Sequence, residues 1–312
     1  MENKILGLHH ITAIAGEAQR NYDFYTKTLG LRLVKKTVNF DDPGTFHFYY
    51  GDEVGSPGSI LTFFPWEGVR KGQAGTGMVT EIGSSVPKAS LEFWKKRFEE
   101  KGIKHQPIKE SFGEQYIQLE DPDGLVLNVI GSASADNRKP WTTNEVKDDF
   151  AIKGFHSAVL TLRSMDQTAK ILTDIFGYQL STSEGNRSRF TTDAIDTANI
   201  IDIAEVPNGQ PGINAGGTNH HIAFRAKDDD ILMEFREKVR TAGFHITEKI
   251  DRNYFYSLYF REPGGVLFEI ASDNPGFATD ETVSELGTHL MLPPQYESSR
   301  SKIEQHLPSL HQ

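Results

Sequence analysis

The strongest constraint on this chain is a repeat. Residues 119–129 read Leu-Glu-Asp-Pro-Asp-Gly-Leu-Val-Leu-Asn-Val, and residues 260–270 read Phe-Arg-Glu-Pro-Gly-Gly-Val-Leu-Phe-Glu-Ile. An acid–Pro–x–Gly turn that feeds an apolar run is a hairpin-type ending for a strand unit. Searching backwards from both endings finds four similar units. The first opens with a strand over Gly7–Ile14, continues into a helix near Ala18–Leu29 stopped by Gly30, and adds strands near Arg32–Asn39, Phe46–Tyr50 and Ile60–Phe64. The second opens at Gly77-Met78-Val79-Thr80, and its helix near Ala89–Lys101 carries Leu91, Trp94 and Phe98 at helical spacing. The third opens at Gly154-Phe155-His156-Ser157 with a helix near Gln167–Phe176, and the fourth at Thr218-Asn219-His220-His221 with a helix near Asp230–Thr241. Each unit reads β-α-β-β-β, so the expected class is α+β.

Two units fall in an N-terminal half, residues 5–135, and two in a C-terminal half, residues 150–275. The polar stretch Asp136–Asp149, with Pro140, reads as the linker between them. Residues 276–312 form an extension whose Leu286, Leu290, Leu292 and Pro293-Pro294 predict packing across the body.

The dipeptide His-His opens the first unit at His9-His10 and the fourth at His220-His221, and the closing strand of the fourth holds Glu269 between apolar neighbours. A buried carboxylate needs a cation or donors, because unpaired burial is costly. Registering the opening strands on one another gives the column His10, Thr80, Ser157, His221, and the closing strands give Asn128 and Glu269. In this register His156 matches His9 and falls outside the column. Only His10, His221 and Glu269 are metal-competent among these positions. Two imidazoles and a carboxylate are the set that holds mononuclear non-haem Fe(II) with open positions. One such site requires the first and fourth units to face each other, leaving the middle two to pair without metal. Strand alternation puts His10 and Thr12 on one face and His9 and Ile11 on the other.

Composition removes several classes. The net charge of −10, from 33 Lys+Arg and 43 Asp+Glu, lacks the basic footprint of nucleic-acid binding. There are no cysteines, so disulfides, thiolate metal sites and thiol nucleophiles are excluded. Met1-Glu2-Asn3-Lys4 does not begin a signal peptide, and no apolar run approaches the roughly 18 residues of a membrane span. A cytoplasmic protein is expected.

The repeated βαβββ unit, with His on opening strands and Glu on a closing strand, resembles the vicinal-oxygen-chelate superfamily of glyoxalases, fosfomycin-resistance enzymes and extradiol dioxygenases. The likeness covers about residues 5 to 272. Gly-Leu-His-His-Ile-Thr, Asn-His-His-Ile-Ala-Phe and Pro-Gly-Gly-Val-Leu-Phe-Glu-Ile are similar to the hydroquinone-type ring-cleaving dioxygenases. The resemblance implies two glyoxalase-like open barrels, a metal at His10, His221 and Glu269 between the first and fourth modules, and Fe(II) as that metal with Mn(II) as an alternative occupant. It implies a small aromatic diol and O2 as reactants, both oxygen atoms entering the product. It also implies a pocket lined by His9, Thr12, His220, Arg252 and Tyr259. In that reading His220 or Tyr259 moves the substrate proton and Arg252 stabilises negative charge on oxygen. Self-association into a homo-oligomer stays open.

Three other functions compete. An extradiol catechol dioxygenase would use the same iron, with an ortho-diol chelating through both oxygens. A glyoxalase-like isomerase or transferase would take a fourth protein ligand, commonly a second carboxylate, and the first unit's closing strand Ser59–Phe64 has none. A metal-free module that binds a small aromatic would not need the His-His-Glu set.

Overall fold

The computed structural model describes residues 3–312; Met1 and Glu2, the start of the stretch read for a leader, lie outside them. The first unit supplies β1 (Leu8–Ala15), α1 (Ala18–Asp23), β2 (Arg32–Val38), β3 (Phe46–Gly51) and β4 (Ile60–Pro65). The second supplies β5 (Met78–Pro87), α2 (Leu91–Glu100), β6 (Lys109–Ser111), β7 (Glu114–Glu120) and β8 (Val126–Ser132). The third has β9 (Gly154–Leu162), α3 (Asp166–Lys170), β10 (Gln179–Glu184), β11 (Arg187–Thr191) and β12 (Ile200–Glu205). The fourth has β13 (Thr218–Ala226), α4 (Asp229–Thr241), β14 (Ile250–Asp251), β15 (Phe255–Arg261) and β16 (Leu267–Pro275), and α5 (Arg300–His306) lies in the extension. Gly7, Gly77, Gly154 and Gly217, which lead into the four opening strands, all take positive φ. At Gly217 a Cβ would fall 2.1 Å from the Asp123 carbonyl oxygen, so the repeat's entry turn admits glycine alone there.

The units pair crosswise. One eight-stranded sheet runs β14-β15-β16-β13-β1-β4-β3-β2, from the first and fourth units, and the other runs β10-β11-β12-β9-β5-β8-β7-β6, from the second and third. The seam of each sheet is an antiparallel pair of opening strands, β1 with β13 and β5 with β9. Both seams carry two bulges. His9 has no opposite residue between the pairs Leu8/Phe224 and His10/Ala223, and His220 has none between Thr12/His221 and Ala13/Asn219. In the second sheet Thr80 and His156 are the extra residues. A bulge re-aims the side chains beside it, so neighbouring histidines need not point to opposite faces.

Helix α4 shows why these segments dock where they do. Asp228 caps it by accepting from the Ile231 amide at 3.0 Å, acids occupy the first turn and Lys238 and Arg240 the last. Its buried Leu232, Phe235 and Val239 recur along one face. Phe235 joins Phe176, Phe224 and Phe268 in one aromatic cluster. Phe224 and Phe268 are the strand neighbours of Ala223 and Glu269, so the sheet face opposite Glu269 is the one that meets the helices.

The stretch at Asp136–Asp149 is held down: Arg138 pairs with Asp136 at 2.6 Å and donates to the Gly58 and Phe155 carbonyls. The extension crosses the first sheet. Phe277 stacks on Tyr254, and Asp280 accepts from Lys35 of β2 at 2.5 Å and from the Tyr254 hydroxyl at 2.9 Å. Farther on, the Met291 amide bonds the Lys36 carbonyl and Tyr296 bonds that of Phe40. Lys35 is fully buried and also meets Glu281 at 2.6 Å, so the extension balances a charge the sheet alone would strand. No helix among the described residues is long and apolar enough to cross a membrane.

Charge is also balanced inside the second sheet, where Glu114 meets His156 at 3.0 Å and Arg189 at 2.8 Å. Burial raises the Glu114 carboxyl, but these partners bring it down to about 2 from its ordinary 4.5. A folded-state value below the unfolded one gives stability that is present above pH 4.5 and is lost as pH falls towards about 2. Chemical denaturation across that window should therefore show the wild type losing stability faster than Glu114→Gln; parallel curves would refute the assignment.

Candidate metal centre

The bulges decide which side chains reach the inside of the first sheet. The residue after each bulge, His10 in β1 and His221 in β13, faces inward, and two residues on the strand meets its parallel neighbour: Thr12 opposite Thr62 and Ala223 opposite Glu269. His10 Nε2 lies 3.3 Å from His221 Nε2 and 3.3 Å from Glu269 Oε2, and His221 Nε2 lies 2.9 Å from the same oxygen. All three residues are buried. Donor atoms bound to one metal at about 2.1 Å and at right angles stand about 3 Å apart, which is the spacing here.

Each of these imidazoles is oriented by the histidine before it. His9 Nε2 reaches the Ser272 carbonyl at 3.1 Å, so it carries the proton, and His9 Nδ1 accepts from His10 Nδ1 at 2.9 Å. His10 Nε2 is left with a lone pair. The contact recurs between His220 Nδ1 and His221 Nδ1 at 2.8 Å, with the same ring spacing of 5.1 Å and interplanar angle of 81°. The same geometry allows His221 Nδ1 to donate to His220 Nδ1, which would free His221 Nε2 as His10 Nε2 is freed. Ser257 donates to Glu269 Oε1, while Glu269 Oε2, fully buried, finds no donor. Two imidazole lone pairs and a carboxylate oxygen thus converge without a proton between them, and a divalent cation satisfies all three.

Burial holds His9 well below the ordinary histidine range and also lowers His221. Burial, then the neighbouring His221, brings His220 down to about 4, so His9, His220 and His221 are neutral at pH 7. Burial alone would favour the neutral acid at Glu269, and positive charge at the His10 and His221 positions more than offsets this and holds the carboxyl well below its usual range.

The second sheet corrects the register drawn from sequence. Its inward positions after the bulges are Glu81 and Ser157, with Asn128 opposite Gly83 and Asp202 opposite Val159. Thr80 is the bulged residue and matches His220, not His221; the extra residue makes the count from the entry glycine one longer in the second and fourth units. Metal-competent carboxylates therefore occupy this sheet too. Glu81 is taken by Arg187 and by Asn128 Nδ2 at 2.7 Å, and Asp202 by Arg189 at 2.8 and 2.9 Å. Guanidinium groups supply the positive charge here. His156 lies in this sheet on Glu114, far from the His-His-Glu cluster in the fold.

Beside the cluster is a cavity of about 450 Å³, a size suited to a small ring. Thr12, His220, Arg252 and Tyr259 line it together with His10 and His221. The Arg252 guanidinium sits 5.4 Å from the Tyr259 ring centre, and that ring meets His221 edge-on at 5.6 Å. His9, expected to line the cavity, does not: the bulge turns its ring to Ser272, where it orients His10. Sequence reasoning missed His47, Tyr49, Phe64 and Trp66 of the opposite wall. His47 Nε2 bonds Thr62 Oγ1 at 2.9 Å, Thr62 bonds Thr12 at 2.9 Å, and Tyr49 bonds His47 Nδ1 at 3.0 Å. The alternating His47-Phe48-Tyr49 in an aromatic strand was the available signal, since both polar residues share a face.

The glyoxalase/bleomycin resistance protein/dioxygenase superfamily model matches residues 7–129 and 154–270. The chain is 48% identical over 307 residues to a Bacillus subtilis (strain 168) protein, MhqO, that bears the provisional name of ring-cleaving dioxygenase, with 98% of this chain and 97% of that one covered. It is 32% identical to the chlorohydroquinone/hydroquinone 1,2-dioxygenase of Sphingobium indicum, over 97% of this chain and 96% of that protein. A crystal structure of a Bacillus subtilis protein provisionally called a dioxygenase superposes with a TM-score of 0.95 at 46% identity, covering 99% of each chain. Glyoxalase I from Zea mays shares the fold at 15% identity, with a TM-score of 0.63 over 86% of this chain and 92% of that one. With its four βαβββ units paired crosswise and its family matches spanning both halves, the chain belongs to the glyoxalase/bleomycin resistance protein/dioxygenase superfamily.

Proposed function

We propose that this protein is an Fe(II)-dependent dioxygenase that opens the ring of a hydroquinone, with His10, His221 and Glu269 holding the metal. One observation carries the reading: the fourth inward position, where a four-ligand site would place a second carboxylate, is Thr62, and its hydroxyl is engaged by Thr12 and His47. A three-ligand set leaves about three coordination positions for O2 and an aromatic oxygen. The same observation disfavours a Lewis-acid isomerase. The relative from Sphingobium indicum, named for hydroquinone and chlorohydroquinone, supports a para-diol as substrate.

A bound iron supplies the electron transfer between the aromatic diol and O2 that neither molecule undergoes readily alone. The protein's own groups do the rest. His9 and Ser272 fix the His10 ring, His220 fixes that of His221, and Ser257 holds one oxygen of Glu269 so that the other faces the metal position. Phe64 and Trp66 give the cavity apolar walls for a ring and help exclude water. The Tyr259 hydroxyl, raised by burial, is the group that exchanges a proton with the diol, and His220, neutral at pH 7 with Nδ1 accepting from His221, offers its Nε2–H as a hydrogen-bond donor to the substrate oxygen. Arg252, stacked on Tyr259, stabilises negative charge on the substrate oxygen.

Anaerobic Fe(II) titration should show His10→Ala, His221→Ala and Glu269→Gln each binding iron at least about 100-fold more weakly than wild type; full retention in all three would remove the site. Oxygen uptake by iron-loaded protein should occur with methylhydroquinone and be much slower with 4-methylcatechol. Preference for the catechol would reassign the substrate, and no uptake with either would end the dioxygenase reading. Thr62→Glu adds the missing fourth ligand: metal retention should persist while oxygen uptake falls at least about tenfold. Unchanged uptake would sink the argument from the open positions.

A further inference from the structure

A second cavity of about 700 Å³ opens at the seam between the two sheets, and His220, His221 and Leu267 line both it and the aromatic cavity. It has no carboxylate in its walls, although the chain is acidic overall, and it presents Arg163 and Arg261. Neither guanidinium meets an acidic side chain among the described residues; Arg163 bonds the Gly209 carbonyl and Arg261 that of Gly265. Asn219, 3% exposed, also lines the cavity: its Nδ2 bonds the Val79 carbonyl across the seam, and its Oδ1 has no partner. That is a buried polar atom awaiting a donor.

The repeat shows what belongs there. In the twin location between the first and second units, Asp123 follows Pro122 in the closing turn. Its carboxylate accepts from the Gly16 amide at 3.0 Å and from Arg20 at 2.5 Å. In the third and fourth units the matching positions hold Arg163 for Gly16, Gln167 for Arg20 and Gly264 for Asp123. One side is filled by the chain's own carboxylate. The other lacks that carboxylate and keeps basic and amide groups around the space.

We propose that this cleft is a carboxylate site, and, resting on the ring-cleavage reading, that it receives the ring-opened acid as it leaves the metal centre. Cleavage of a hydroquinone beside one hydroxyl breaks one ring carbon–carbon bond and the O–O bond. One oxygen atom ends in a carboxyl group and the other in an aldehyde, with no further reductant. The product is a six-carbon dienoic acid, anionic at pH 7, that keeps the second hydroxyl as a donor. Its carboxylate suits Arg163 and Arg261, and its hydroxyl suits the Gln167 amide in the same wall.

The test is calorimetric titration of iron-loaded protein, without O2, with sorbate, a six-carbon dienoate. Arg163→Ala/Arg261→Ala should weaken binding about tenfold or more, and Gln167→Glu, which puts a carboxylate in the cleft wall without a backbone change, should do the same. Lys95→Ala/Lys96→Ala, removing equal charge from α2, should leave it unchanged. No binding by wild type, or equal binding by wild type and both cleft variants, would overturn the site. Loss of binding in the cleft variants, from a protein that consumes no oxygen with any diol, would keep an organic-acid site and discard only its link to ring cleavage.

Discussion

The antiparallel pairing of β1 with β13 is the contact on which the rest depends. It joins the first unit to the last, and its two bulges fall on the first member of each His-His pair. Without the bulges, alternation would send His9 and His220 to the face opposite their neighbours. With them, each lies Nδ1 to Nδ1 against the next imidazole, and the Ser272 carbonyl on His9 fixes the tautomer of His10. Secondary structure, ligand orientation and proton placement are thus settled by one irregularity used twice.

The two sheets answer the same electrostatic problem in different ways. Both carry acidic or metal-binding side chains at inward positions next to the seam. In the second sheet Arg187 and Arg189 lie across Glu81 and Asp202, and fixed covalent cations leave no room for chemistry. In the first sheet no guanidinium or ammonium among the described residues pairs with Glu269, the His10, His221 and Glu269 set could hold a metal ion, and the cavity of about 450 Å³ adjoins that point. A buried ion pair adds little net stability over an apolar packing. The arginines therefore matter mainly because removing them would strand carboxylates in a dry interior.

Much of this was legible in the sequence because it rests on periodic patterns. The four units, their helices and the α+β class follow from apolar spacing and from the repeated closing turn, and the resemblance supplied the paired open barrels. The bulges left no such mark. A single extra residue does not alter composition or hydropathy, and counting from the glycine placed Thr80 where Glu81 stands. The same blindness hid the places of Thr62 and Asp202, since parallel register between β1 and β4, or β9 and β12, has no local signature. His9 was assigned to the cavity by likeness, and only its bond to the Ser272 carbonyl shows it facing away from the substrate space.

The distance along the chain between the histidines has a consequence for biogenesis. His10 and His221 are 211 positions apart, and Glu269 follows later still. During synthesis the metal position cannot exist until nearly the whole chain has emerged and its ends have met. A cation captured there closes a very long loop, and the entropy cost of closure grows only with the logarithm of loop length. With the proposed metal at this site, loading would be a late check on folding: a chain truncated or misfolded anywhere between the outer units would offer the ion two ligands at most.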